Sequence, residues 1–238
     1  MGKKGETKQL KRIASGRKVK VLKKISTWLT KPRTGPHSPK EAVALLVIIR
    51  DYLKLADTAK EAKKIIKQGK VLVDGRKVTD HKFPVGFMDL IQIPELGKNY
   101  RVMLDKKGRI IVEEIETEAN FKLVRVNKKR KIKGGKILLT THDGRNLTFD
   151  KDQEYKVGEV FKITVPEQKI VERFELKPGN LGYVINGKHA GKIGKIIGIK
   201  EGTMTRKPEV VLQSEKETFN TIKDYVFVIG KEEPAVKI

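Results

Sequence analysis

From Ala42 to Ile49 every position is apolar. A run of that length with no polar face reads as a buried helix, and the residues before it look like a helix start. Ser38 suits the N-cap, Pro39 the first helical position, and Glu41 closes a capping box. A second box, Thr58 with Glu61, opens "TAKEAKKIIKQG", and Gly69 is its natural stop. This second segment has two faces. Ala59, Ala62, Ile65 and Ile66 lie on one side, while Lys60, Lys63, Lys64 and Lys67 follow the i, i+3, i+4, i+7 spacing on the other.

Beyond Gly69 the apolar period shortens to two. "KVLVDGRKVTD" predicts a hairpin about Asp74-Gly75, and "FPVGFMDLIQI" a turn followed by a strand. "YRVMLDKKGRIIVEEI" predicts a hairpin around "DKKG", and "ILLTTHDGRNLTF" one turning at Asp143-Gly144. In "YKVGEVFKITVP", Phe161, Ile163 and Val165 share one face and Lys162 and Thr164 the other. Between these strands "NKKRKIKGGK" reads as a loop, with six basic residues and no acid. His142 beside Asp143 invites a catalytic reading, but no nucleophile or third partner is near, so it is read as a turn side chain.

Residues 1–39 show no sustained period. Their sparse apolar positions bury too little to offset ordering entropy, so this arm is expected to be extended alone and ordered against phosphates. Trp28 and the proline-punctuated "KPRTGPHSP" argue for a docked arm, since an indole can stack on a base or fill a pocket.

Charge sharpens the picture. The 238-residue chain carries a formal charge of +24, and 12 basic residues against one acid lie within residues 1–39. So large a surplus repels itself unless a polyanion neutralises it, and nucleic acid is the usual partner. In the arm, the phosphate-contact candidates are Lys11, Arg12, Arg17, Lys18, Lys20, Lys23, Lys24, Lys31, Arg33 and His37, with Trp28 as a stacking candidate. In the central loop they are Lys128, Lys129, Arg130, Lys131 and Lys133. Cysteine is absent, which excludes disulfides and thiolate metal sites, and the four histidines make no ligand spacing. No apolar run approaches the ~20 residues of a membrane helix, and the basic N-terminus lacks the apolar core of a signal peptide. A cytoplasmic protein is expected.

The segment "INGKHAGKIGKI" tests a nucleotide reading. A phosphate-binding loop needs four residues between its glycines and a hydroxyl after Gly-Lys. Gly187 and Gly191 are separated by three, and Ile193 stands where the hydroxyl belongs. The dinucleotide pattern fails as well. A strand, a glycine turn and a second strand fit better.

Two resemblances follow. Residues 40–95, with "IKQGKVLVDGRKV" and "VGFMDLIQI", resemble the S4 RNA-binding domain. That family grips structured RNA with the helix face and adjoining loop, which implies such a role for Lys60, Lys63, Lys64, Lys67, Lys70 and Arg76. "PGNLGYVINGKHAGKIGKIIGI" resembles the KOW motif of small SH3-like barrels, with Lys188, His189, Lys192 and Lys195 on its turn. In that order, with "RTGPHSP", "FMDLIQI" and "YVFVIG", the whole chain resembles the S4e family of archaeal and eukaryotic small-subunit ribosomal proteins. The resemblance implies an α+β, multidomain chain: a basic arm (1–39), an S4-like domain (40–95), a central β domain (96–172) and a KOW-containing barrel with a C-terminal tail (173–238). It implies binding to small-subunit ribosomal RNA beside neighbouring ribosomal proteins, with no reaction, cofactor, metal, membrane or small-molecule substrate. An RNA-modifying enzyme and a transcription-elongation factor are the rivals. The first would need a catalytic domain beyond residue 95, where no cofactor loop or catalytic constellation appears. The second leaves the basic arm unexplained.

Overall fold

A computed structural model describes residues 7–116, 120–150, 155–214 and 217–236. The chain divides into two compact units. The first holds everything up to Val102 together with Arg109–Glu114, and the second holds Met103–Gly108 and the chain from Ile115 onward.

In the first unit, β1 (Leu10–Lys11) and β2 (Trp28–Leu29) form a small antiparallel pair. The arm is therefore folded rather than extended. Its backbone is tied to the rest of the unit: Ile110 N–H donates to Lys18 O at 2.8 Å, Lys20 N–H to Tyr52 Oη at 2.8 Å, and Arg33 N–H to Lys82 O at 2.8 Å. Leu29 and Pro32 are buried. A segment too poor in apolar residues to fold alone is ordered by a surface supplied from elsewhere in the chain.

The expected first helix starts later than its apparent cap. Ser38–Glu41 is a turn, closed by Glu41 N–H to Ser38 O at 2.8 Å. β3 (Val43–Ala44) is strand and pairs with β6 (Pro84–Val85). Only then come α1 (Leu45–Val47) and a π-helical turn, Ile48–Tyr52. The reason is tertiary. Leu45 N–H and Leu46 N–H donate to the carbonyls of Phe83 and His81, so distant backbone takes the place of a cap. A segment buried on every side also has no polar face to mark where a helix begins.

The second capping box forms as its spacing predicts. In α2 (Ala59–Lys67), Glu61 N–H donates to Thr58 Oγ1 at 3.2 Å and Thr58 N–H to Glu61 Oε2 at 3.2 Å. Gly69, at φ 71°, follows its C-terminus. β4 (Leu72–Val73) and β5 (Arg76–Lys77) flank Asp74 and Gly75, whose φ values of 51° and 69° make the tight hairpin turn that Asp-Gly favours. With β7 (Leu90–Ile93), β8 (Lys98–Leu104) and β9 (Ile110–Ile115) they form a five-stranded sheet in the order β5-β4-β7-β8-β9. Its core includes Leu45, Leu46, Ile49, Ile66, Val71 and Ile91.

The second unit contains two five-stranded antiparallel sheets. One has β10 (Phe121–Lys131), β11 (Ile137–Thr141), β12 (Asn146–Phe149), β13 (Val160–Thr164) and β14 (Ile170–Phe174) in the order β12-β11-β10-β13-β14. Val124, Val126, Leu139, Phe161 and Ile163 lie in its core. The other has β15 (Leu181–Val184), β16 (Ile193–Lys200), β17 (Glu209–Gln213), β18 (Thr218–Ile222) and β19 (Val226–Gly230) in the order β18-β17-β16-β15-β19. The segment read as a basic loop is largely strand. Lys128–Lys131 pairs with Ile137–Thr140, and Lys133–Gly135 makes the tight turn. Backbone pairing decides this, and the charged side chains simply stand out into solvent.

Candidate nucleic-acid interface

Lys60, Lys63, Lys64 and Lys67 all stand exposed on one side of α2, while Ala62 and Ile66 are buried on the other. Glu61 is the one acid within the helix, but its carboxylate is folded back onto the amides of Asp57 and Thr58. Those hydrogen bonds hold its pKa below the usual value. Glu61 stays ionised but is engaged by backbone amides rather than by the lysines of the row. Lys67 leads into Gly69, over which the side chain of Lys77 lies. Arg76 is exposed next to it, and Lys70 is half-buried and paired with Glu95 at 2.9 Å.

Two residues with no periodic signal join this surface. His81 is half-buried, and burial first, then the charge of Lys63, pushes its pKa down, with Lys82 and Lys67 acting the same way and Asp80 opposing. His81 and Lys82 are therefore part of the same positive region as α2, brought there by the turn before β6. Sequence spacing could not have found them.

The arm candidates separate into two groups. Lys11, Arg17, Lys20, Lys24, Trp28 and Arg33 are exposed. Lys18 is held by Glu41 at 3.3 Å, Lys23 donates to Ser15 O at 2.6 Å, and Lys31 donates to Thr7 O at 2.7 Å. Arg12 and His37 are buried, which corrects their reading as phosphate contacts. Arg12 donates to Leu22 O at 2.5 Å and lies 3.5 Å from Asp51. The His37 ring packs against Gly86, and its Nε2 meets Asp89 Oδ1 at 2.9 Å.

In the second unit, Lys128, Arg130, Lys131 and Lys133 are exposed on the β10–β11 ribbon, and Lys129 donates to Tyr155 O at 2.8 Å. Lys188 is exposed on the glycine turn, and Lys195 is exposed on β16 rather than on the turn. Lys192 pairs with Glu217, and His189 stacks on Phe219 with centroids 4.3 Å apart. The glycines serve the backbone. Gly187 and Gly191 have φ of 88° and 82°, and a Cβ on Gly191 would lie 2.1 Å from Asp105 O. His142 is a turn residue: its Nδ1 accepts from Arg125 N–H at 3.2 Å. Among the described residues, no group of three or more His, Cys, Asp or Glu is gathered as metal ligands, and no helix is long and apolar enough to cross a membrane.

Comparison with known proteins bears on the whole chain. A model of the S4 domain matches residues 45–91, and a model described as ribosomal family S4e matches residues 96–170. The small ribosomal subunit protein eS4 of Methanothermobacter thermautotrophicus is 45% identical over 234 residues, covering 97% of this chain and 96% of that one. The protein of the same name from Methanocaldococcus jannaschii is 42% identical over 245 residues, with 100% of both covered. The crystal structure of the 30S ribosomal protein S4e from Thermoplasma acidophilum matches with a TM-score of 0.70 and 42% identity, covering 80% of this chain and 96% of that one. At this identity over full length, the chain belongs to the ribosomal protein S4e family.

Proposed function

We propose that this protein is a structural component of the small ribosomal subunit, binding ribosomal RNA beside neighbouring small-subunit proteins and catalysing no reaction. The observation that carries the reading is the α2 face. Lys60, Lys63, Lys64 and Lys67 are exposed on one side, with the helix's acid turned into its own cap. An exposed row of four lysines suits a polyanion's backbone phosphates better than a small substrate. Arg76, Lys77 and Lys82 extend it, with His81 and the Glu95-paired Lys70 beside them. Lys11, Arg17, Lys20, Lys24 and Arg33 add phosphate contacts from the arm, while Arg12 and His37 drop out. On the same reading residues 1–39, 40–95, 96–172 and 173–238 act as arm, S4-like module, central β module and KOW-containing SH3-like barrel. The β10–β11 ribbon, Lys188 on the glycine turn and Lys195 on β16 are further contacts.

The test changes Lys60, Lys63, Lys64 and Lys67 together to Glu. Lys and Glu have similar helix propensities, so circular dichroism should hardly move. Affinity for small-subunit ribosomal RNA should fall by orders of magnitude, with the salt slope reduced by about 0.7–0.9 per lost phosphate contact. Affinity within a factor of two of the unmodified protein would show that the face is merely solvated.

A further inference from the structure

The N-terminal hairpin is built inside out. Its buried side chains include Arg12, at 3% exposure, and Ser15, at 7%. Arg12 is the hub: its backbone N–H donates to Thr27 O and its guanidinium to Leu22 O, while Ser15 Oγ donates to Arg12 O. Lys23 donates to the same Ser15. The large apolar side chains are instead exposed. Ile13 is 75% exposed, Leu22 71%, Ile25 67% and Trp28 51%. Ile13 follows Arg12, Leu22 accepts from its guanidinium, and Trp28 follows Thr27, whose carbonyl accepts the Arg12 N–H, so Arg12 ties these three together. Exposed apolar side chains grouped like this mark an interaction surface.

The charge around them says what covers it. Lys11 is directly opposite Trp28 across the β1–β2 pair, so the two side chains share a face, while Leu10 and buried Leu29 share the inner one. Lys8, Arg17, Lys20 and Lys24 are exposed nearby in sequence, and residues 7–40 contain no acid. An apolar protein partner has no use for a segment so rich in exposed cations and free of acids. A polyanion that also carries flat apolar groups fits both features. We propose that this surface is a stacking platform for unpaired bases of RNA, with Trp28 taking a base face and Lys11 the adjoining phosphate. This rests on the RNA-binding reading above and deepens it from phosphates to bases: a duplex hides its base faces, so the platform selects loops, bulges or ends.

Trp28 is the single tryptophan of the chain and therefore its own probe. The full-length protein would be titrated with a single-stranded oligoribonucleotide and with a duplex of the same sequence. Quenching of Trp28 by the single strand and not by the duplex is expected. Trp28→Ala should weaken single-strand binding about tenfold or more, Trp28→Phe should keep most of it, and the salt slope should be unchanged, because stacking releases no counterion. Equal quenching by duplex, or single-strand affinity unaffected by Trp28→Ala, would overturn the platform and leave the surface to a protein neighbour. If the unmodified protein bound neither oligonucleotide nor ribosomal RNA, the RNA-binding reading itself would fall, and this inference with it.

Discussion

Gly86 and His37 show why single residues in this chain are what they are. A Cβ on Gly86 would lie 2.5 Å from the His37 ring, and the carboxylate of Asp89 joins the two by meeting His37 Nε2 and accepting Gly86 N–H at 2.8 Å. The "RTGPH" and "VGFMD" motifs are thus two halves of one buried latch, and His37 is committed to the core. Gly191 is constrained twice. Its φ of 82° disfavours any side chain, and Asp105 O leaves no room for a Cβ. The conformational part alone costs about 1–2 kcal/mol. At about 2–4 °C per kcal/mol for a chain of this size, Gly191→Val should lower the melting temperature of the full protein by at least ~2 °C. Lys192→Ala removes a surface ion pair with Glu217 and a cation–π contact with Phe219, and should leave melting nearly unchanged. Calorimetry with ATP or GTP and magnesium should show no binding. Micromolar binding lost in Lys192→Ala would restore the nucleotide reading.

Among the elements, β10 carries the most consequential side chain. Lys122 is fully buried and meets Asp143 Oδ2 at 2.9 Å, and Arg145 Nε and Thr141 Oγ1 donate to the same carboxylate. Burial alone would raise the pKa of Asp143. Lys122, His142 and the hydrogen bonds outweigh it and hold the group well below the usual carboxylate range. A carboxylate with a depressed folded pKa stabilises the fold at all pH values above its unfolded value and loses that contribution as pH falls below it. Asp143→Asn should therefore cost about 3–5 kcal/mol near neutral pH, because it strands a buried ammonium. It should also flatten the acid limb of the stability curve. Replacing both partners, Lys122→Met with Asp143→Leu, should recover part of the loss, since it removes the buried ammonium but leaves Arg145 and Thr141 without their carboxylate acceptor. Urea unfolding between pH 3 and 7 would read both effects, and a double variant no better than the single would show that the pair itself is stabilising. The pattern along the sequence predicts no strand at Phe121–Arg125 and a loop from Asn127, yet β10 runs through both. Its continuation through Lys131 is charged on both faces, so no alternation marks it, and pairing with β11 decides it.

The arm matters at the scale of the whole molecule. Read alone, it appears removable without cost. In the folded chain it supplies buried Arg12, Leu29 and Pro32, and its backbone meets Tyr52, Lys82 and Ile110. Deleting residues 1–36 should thus do two things. It should lower the melting temperature by several degrees, since apolar surface on Val43, Ala44 and Val47 loses its cover. It should also reduce the salt dependence of RNA binding, because exposed Lys11, Arg17, Lys20, Lys24 and Arg33 go with it. Thermal melts and binding from low to moderate salt separate the two. An unchanged melting point would mean the arm adds nothing to the fold, and an unchanged slope that it touches no phosphate.

The sequence by itself determined whatever depends on residues a few positions apart. The Thr58–Glu61 box, the Asp74-Gly75 turn, the lysine row of α2, the failure of the nucleotide loop and the overall positive charge all belong here, because capping, turn formation and helical spacing are local interactions. Tertiary structure decided what depends on distant partners. The helix after Ala44 starts where carbonyls of residues 81 and 83 reach its amides. Arg12 is buried because Asp51 lies beyond it, and His37 because Asp89, 52 residues away, takes its ring nitrogen. His81 and Lys82 reach the lysine face only through the turn that carries them there. A basic residue reads the same in sequence whether it faces solvent or a buried carboxylate, and only the packing around it, which spacing along the chain does not encode, tells the two apart.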